Sequence, residues 1–375
     1  MEVLLDSMAY FQFHNIRIAA INAAVPSQIV ALESLSAQFG EDKVRRFKES
    51  TGIQQFHKTA EHQTASDLCY AAAENIICQK KIDRDEIGAL IFVAHSADYR
   101  RPATACVLHK RLQLNKDCMA FDISLGCSAF VYGLQTTCAL MQSSNIHKAL
   151  LLVGETLTKM THPKDQSVAM LFGDAGSAIL LEKTDYQSEI KGLLKTDGTG
   201  YQTIIAPAGG FRNMNATHDE IVFEDGNVRT LYNTIMQGEN VFSFSITDVP
   251  RTIREFLAFT STTIDDYDCF AMHQANRLIL QTIAKKFKIN REKMPICLDR
   301  YGNTSAAAIP LSLCDAYGNN SGNAKLRTLM CGFGVGLSWG VCSANVNTED
   351  ILPIIETDDI FEEGIINSEE DFLKL

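Results

Sequence analysis

Short apolar runs alternate with longer amphipathic stretches along this chain. "NIRIAAINA" (15–23), "GALIFVAHS" (88–96), "DCMAFDIS" (117–124), "KALLLVGET" (148–156) and "GSAILLEK" (176–183) are apolar and bounded by turn-forming residues. Runs of this length and composition predict buried strands. Between them, "TASDLCYAAAENIICQKK" (64–81) sets Leu68, Ala71, Ala72, Ile76 and Ile77 on one stripe, the period of a helix packed on one face. Ser66 is its expected N-cap.

The pattern returns in the second half. "DCFAMHQA" (268–275) predicts a strand and "NRLILQTIAKKFKI" (276–289) a helix. "SAAAIPLSLCDAY" (305–317) predicts a helix with Pro310 near its start, and "KLRTLMCGFG" (325–334) with "VGLSWGVCSAN" (335–345) a closing strand pair. The segment 184–240, richer in Gly, Asn and Asp, is expected to be connector. Alternating strands and helices imply an α/β protein built from two βαβ-rich halves, residues 1–184 and 185–345, with a tail at 346–375.

Composition adds charge asymmetry. The formal net charge is −11. From Val346 onward ten acids face only Lys374, a net −9, which leaves −2 for the rest. The nearly neutral body has no basic stripe for nucleic acid. The acidic tail is expected to be a solvated, mobile terminus, partly ordered at most through "ILPII" and "DFLKL". No apolar run approaches the roughly 20 residues of a membrane helix. No secretion signal is apparent, so a cytoplasmic location is expected.

The 11 cysteines contain no CxxC pair and do not cluster with the nine histidines. Most lie in apolar surroundings, such as Cys138 and Cys342, and read as reduced core residues rather than as a disulfide framework or zinc site. Cys127, in "DISLGCSAFVYGL" (122–134), differs in setting. It follows a strand, sits beside Gly126 and opens an apolar helix. Unpaired N–H groups at a helix start favour a thiolate and are one route to a lowered thiol pKa. Core packing remains the competing reading. A nucleophilic cysteine needs partners, and two segments offer them: His273 in "AMHQANR" and Asn303 in "RYGNTSAAAIP", each just before a helix. Singly, His273 also fits a core histidine and Asn303 a helix cap.

Taken together, "DISLGCSAFVYGL", "HQANR", "YGNTSAAAIP" and "GFGVGLSWG" resemble the β-ketoacyl-acyl-carrier-protein synthase III family of thiolase-fold condensing enzymes. The resemblance spans roughly residues 14–345 and includes "STGI" (50–53), "DYRRPATAC" (98–106) and "LFGDAGSAILL" (171–181). It implies a five-layer αβαβα fold and a Cys127–His273–Asn303 triad. It also implies backbone oxyanion donors at Cys127 and Gly334–Val335–Gly336, and substrate contacts from Asn276, Arg277, Tyr99 and Arg101. The expected chemistry is a condensation using coenzyme A or phosphopantetheine thioesters, with acyl carrier protein as partner and no tightly bound cofactor or metal. The family's homodimer would bring the "YRRP" loop to the partner's acyl pocket. Altered coenzyme A positions and the acidic tail point to a specialised pathway rather than housekeeping fatty-acid synthesis.

The chain also departs from the family. Where members hold the nucleotide of coenzyme A, it carries Arg46, Ser50 and Gln166, which favours a carrier-bound or unusual donor. Arg101 stands where a Phe is common. "LFGDAG" lacks the Lys-Ser/Thr of a phosphate loop, and the glycines of "CGFGVGLSWG" lead into a strand rather than a dinucleotide helix. Cys331 sits one position early for a thiolase's second cysteine. The alternatives are acyl transfer to an oxygen or nitrogen nucleophile, a thiolase, or a non-catalytic subunit.

Overall fold

The computed structural model describes residues 9–320 and 322–373. Two sheets dominate. The first has six strands in the order β11 (Ile355–Thr357), β2 (Ile16–Pro26), β6 (Ala175–Lys183), β5 (Lys148–Glu155), β3 (Ile87–Val93) and β4 (Met119–Ile123). The second has five: β1 (Ala9–His14), β7 (Glu189–Thr196), β10 (Ser338–Asn347), β9 (Lys325–Gly334) and β8 (Cys269–Met272). In the first sheet β4, β3 and β5 run parallel, as do β11 and β2, while β6 is antiparallel to both its neighbours. In the second sheet β8 and β9 run parallel and the other pairs are antiparallel.

The labelled helices are α1 (Glu41–Thr51), α2 (Ala65–Lys80), α3 (Thr104–Arg111), α4 (Ala129–Gln142), α5 (Gly238–Thr260), α6 (Arg277–Phe287) and α7 (Ala308–Tyr317). Helices α4 and α7 lie between the sheets and pack on both. Helices α2 and α3 cover the outer face of the first sheet, and α5 covers that of the second with α6 against it. The result is five layers, αβαβα, the architecture of the thiolase fold. An interlayer helix has no solvent face, and α4 accordingly buries Ala129, Phe130, Val131, Leu134, Cys138 and Met141. Strand β5 is buried along "ALLLVGE" because helices cover both faces of its sheet.

Three expectations are corrected. The tail is docked, not mobile: Ile355–Thr357 adds the edge strand β11 beside β2, and Gln63 Nε2 donates to the carbonyls of Thr357 and Asp359. The supposed connector contains β7, which lies inside the second sheet between β1 and β10. The cap of α2 is Thr64, not Ser66: Thr64 and Asp67 form a reciprocal capping box. Ser66 is instead buried and donates to Asp98 Oδ2. Strand β1 from the first half joins the second half's sheet, and β11 from the tail joins the first half's.

Candidate active site

Cys127 lies in the turn between β4 and α4, one residue before the cap residue Ser128. Gly126 O accepts from Ala129 N at 2.7 Å and closes that turn. The sulfur lies against Gly334, where a Cβ would sit 2.8 Å from Sγ and 2.6 Å from the cysteine Cβ. Only glycine allows that approach. The thiol is within 3.4 Å of Ser305 Oγ. Burial pushes its pKa up, opposed by the Ser305 contact and a hydrogen bond from the Val335 backbone. The lowered pKa expected from the helix start is therefore corrected. Burial raises the thiol pKa rather than lowering it.

His273 follows the end of β8, its N–H donating to Cys331 O at 2.8 Å. Its ring packs edge-on to Phe333, with centroids 5.3 Å apart. The imidazole is buried, and burial holds its pKa down to about 4. Nδ1 has no hydrogen-bond partner among the described residues. Asn303 Oδ1 accepts from Ser305 N at 3.0 Å, which leaves Nδ2 to face the cavity.

The loop bearing Asn303 is fastened by "LFGDAG". Asn303 N donates to Leu171 O at 2.9 Å and Gly173 N to Asn303 O at 3.2 Å. A Cβ on Gly173 would strike Tyr301 O at 2.1 Å, so glycine is required for that approach. Asp174 anchors the clamp from below. Its buried carboxylate accepts from the backbone and hydroxyl of both Thr59 and Thr158 at 2.6–3.0 Å. The glycine-rich motif is thus scaffold, as its missing phosphate-loop signature implies.

Cys127, His273, Asn303 and Gly334–Val335–Gly336 all line one cavity of about 830 Å³. Its remaining wall is mainly apolar, with Leu157, Met160, Phe172, Ile204, Met236 and Phe242 among the contributors. The segment 201–238, part of what the sequence suggested to be connector, supplies much of that wall. Among the described residues, no group of three or more His, Cys, Asp or Glu is placed to hold a metal ion.

The 3-oxoacyl-[acyl-carrier-protein] synthase III model matches residues 121–198, and its C-terminal counterpart matches residues 257–346. A putative 3-oxoacyl-[acyl-carrier-protein] synthase 3 of Campylobacter jejuni is 33% identical over 346 residues, covering 91% of this chain and 96% of that protein. The β-ketoacyl-[acyl-carrier-protein] synthase III of Streptococcus gordonii is 32% identical over 330 residues, 86% of this chain and 97% of that one. A 3-oxoacyl-(acyl-carrier-protein) synthase from Burkholderia xenovorans superposes with a TM-score of 0.88 at 34% identity, over 94% of this chain and 100% of the other. The chain belongs to the 3-oxoacyl-[acyl-carrier-protein] synthase III family. It is an acyltransferase of the condensing-enzyme type.

For this synthase III relative, the other residues singled out in the sequence fall as follows. Asn276 lines the cavity, and its side chain caps α6 by accepting from Ile279 N at 2.8 Å. Arg277 turns away onto Gly52, donating to its carbonyl at 3.2 Å. Tyr99 and Arg101 do not line the cavity of their own chain. Tyr99 Oη donates to Gly364 O in the tail, and Arg101 is exposed. Arg46 is exposed, Ser50 Oγ is bound to Phe47 O, and Gln166 N donates to Asn227. Cys331 is buried in the core and lines no part of the cavity. Sequence reasoning missed two polar groups that line the cavity. Ser305 has φ 48°, a left-handed conformation rare for a residue with a Cβ and found at strained functional turns. His95 reaches the cavity from the loop after β3.

Proposed function

We propose that this protein performs a two-stage decarboxylative Claisen condensation through an acyl-Cys127 intermediate. Cys127 Sγ attacks a donor thioester carbonyl, the thiol proton leaves with the displaced thiol, and an acyl-enzyme remains. The N–H groups of Cys127 and of the Gly334–Gly336 turn hold the oxyanion. A malonyl thioester then binds with its thioester carbonyl toward His273 and Asn303. Its carbon–carboxylate bond breaks, carbon dioxide leaves, and the electron pair becomes an enolate stabilised by His273 Nε2–H and Asn303 Nδ2–H. The enolate carbon attacks the acyl carbon, the C–S bond to Cys127 breaks, and a β-ketoacyl thioester departs.

The observation that carries this reading is the meeting of a half-buried thiol, a neutral imidazole and an outward-facing amide in one apolar cavity. A neutral imidazole and an amide donate to a developing enolate without protonating its carbon. Removing one such donor typically costs about 2.7–4 kcal/mol of transition-state stabilisation. The thioesters would be carried by coenzyme A or an acyl carrier protein, with no resident cofactor. Arg46, Ser50 and Gln166 at the nucleotide-facing positions favour the carrier-bound donor. Across a homodimer, the loop bearing Tyr99 and Arg101 would reach the partner's cavity.

Intact-mass spectrometry with a panel of acyl-coenzyme A and acyl-carrier donors tests the first stage. Cys127→Ser abolishes the adduct, and an adduct persisting on that variant refutes the nucleophile. His273→Ala and Asn303→Ala still acylate but release carbon dioxide from malonyl thioester at least about 100-fold more slowly. Normal release refutes their role.

A further inference from the structure

The first stage leaves a proton to account for. Burial raises the Cys127 thiol pKa, and His273, buried and held to about 4, is a poor base at neutral pH. A second imidazole, that of the exposed His95, lines the same cavity. Its Nδ1 lies 3.2 Å from Ser124 Oγ in the loop leading to Cys127. A methyl group on Gly126 would sit 3.2 Å from His95 Nε2 and 3.4 Å from Ser305 Oγ. The two polar atoms therefore converge on the small space that Gly126 leaves open. Ser305 Oγ in turn is 3.4 Å from Cys127 Sγ, in a contact either atom can donate.

Beneath this group lies Glu155, fully buried at the end of β5. Its carboxylate accepts from the backbone N–H groups of His95 and Ser96 and from Ser96 Oγ, at 2.6–3.2 Å. Burial raises its pKa, and the nearby His95 imidazole and these hydrogen bonds oppose that rise. The other ionisable groups lining the cavity are Cys127, His273 and the phenols of Tyr201 and Tyr232. The charge partner for an imidazolium at His95 is therefore Glu155.

We propose that His95 is the proton acceptor for acylation, working through Ser305. The Cys127 S–H proton passes to Ser305 Oγ as the Ser305 hydroxyl proton passes through one water to His95 Nε2. The sulfur's electron pair forms the bond to the donor carbonyl. Collapse of the tetrahedral adduct breaks the donor C–S bond, and the imidazolium returns its proton to the leaving thiolate. No proton is gained or lost overall, and Glu155 offsets the transient positive charge. The proposal rests on Cys127 being the nucleophile, and it assigns to His95 a step distinct from that of His273 and Asn303.

Single-turnover acylation of the full chain, followed by intact mass from pH 5 to 9, tests it. The wild-type enzyme serves as its own check: if it forms no adduct, the acyl-cysteine reading fails, whatever His95 does. Given wild-type acylation, His95→Gln is expected to slow it about 100-fold with the donor KM changed less than threefold, and to remove one ionisation from the pH profile. His95→Ala is expected to regain at least tenfold of its rate with added imidazole. Ser305→Ala is expected to slow acylation while melting at the wild-type temperature. Wild-type acylation by His95→Gln overturns the proposal. So does a slowed His95→Ala that imidazole does not rescue, since a merely structural histidine behaves that way.

Discussion

At the scale of single residues, the site depends on what is missing as much as on what is present. Gly334 has no Cβ, and the thiol occupies that space. Gly334→Ala sets a methyl 2.6 Å from the Cys127 Cβ, a distance at which backbone or sulfur must move. The expected outcome is loss of acylation by two orders of magnitude or more with the fold retained, read by intact mass beside circular dichroism. His273 carries a second consequence. Its pKa is held to about 4 in the folded chain, against ~6.5 when unfolded. Protons therefore bind the unfolded state first. Its share of stability is intact above about pH 6.5 and is lost as pH falls toward 4, on the order of 3 kcal/mol in all. Denaturant melts across that range show this acid limb in the wild type and a flatter one in His273→Asn.

The placement of site residues was legible where a side chain's type and its neighbours in sequence carry the signal. Cys127 on its glycine turn, His273 after a strand and Asn303 in a Gly-containing loop are such cases, and they meet in one cavity. Ser305 and His95 were not legible. Each becomes visible only when residues 178 and 32 positions from Cys127, respectively, fold against it. The direction of the thiol pKa was hidden for a related reason. Local sequence shows the helix start, but burial is a property of the packed layers.

At the scale of elements, apolar runs with helices on both faces announced themselves, as β3 and β5 do. Strand β7 did not, because "EIKGLLKT" is short, mixed with lysines and set among turn residues. Helix α5 received no assignment, since its Thr, Ser, Val and Phe content and an internal Pro250 give weak helical propensity. It is held by packing instead: its Thr252 Oγ1 accepts from Trp339 Nε1 at 2.7 Å. The "LFGDAG" clamp makes a prediction at this scale. Asp174→Ala leaves the Thr59 and Thr158 amides without their acceptor, a loss of about 3 kcal/mol in stability. Because the clamp positions Asn303, malonyl decarboxylation should fall more than acylation does. Equal loss of both activities would remove the clamp's link to Asn303.

At the scale of the whole molecule, the acidic tail is the part whose role the sequence concealed. Counting charges makes it look like a solvated appendage, yet its acids and backbone find partners on the body. Phe361 N donates to Asp67 Oδ1 at 3.0 Å, and the same carboxylate oxygen is 2.7 Å from Arg111. The Arg111 guanidinium lies 4.9 Å from the centre of the Phe361 ring and 4.2 Å from that of Tyr70. Arg17 and Lys80 both pair with buried Asp350. Tyr99, in the loop that continues from His95, ends on Gly364 O at 2.6 Å. The tail thus closes one edge of the first sheet and ties down the loop leading from the cavity. Ending the chain after Ile354 removes β11, the Phe361 stack and the Tyr99 acceptor, while Asp350 and its ion pairs remain. The uncovered edge of β2 exposes backbone groups, and Asp67 and Arg111 keep each other and Tyr70 but lose the Phe361 ring and N–H. Such a chain is expected to melt at a lower temperature, to exchange amide hydrogens faster across residues 97–103, and to self-associate more readily through the bared strand. Hydrogen exchange read by mass spectrometry separates these effects. Faster exchange confined to the new C-terminus, with residues 97–103 still protected, would show that the tail does not hold the loop.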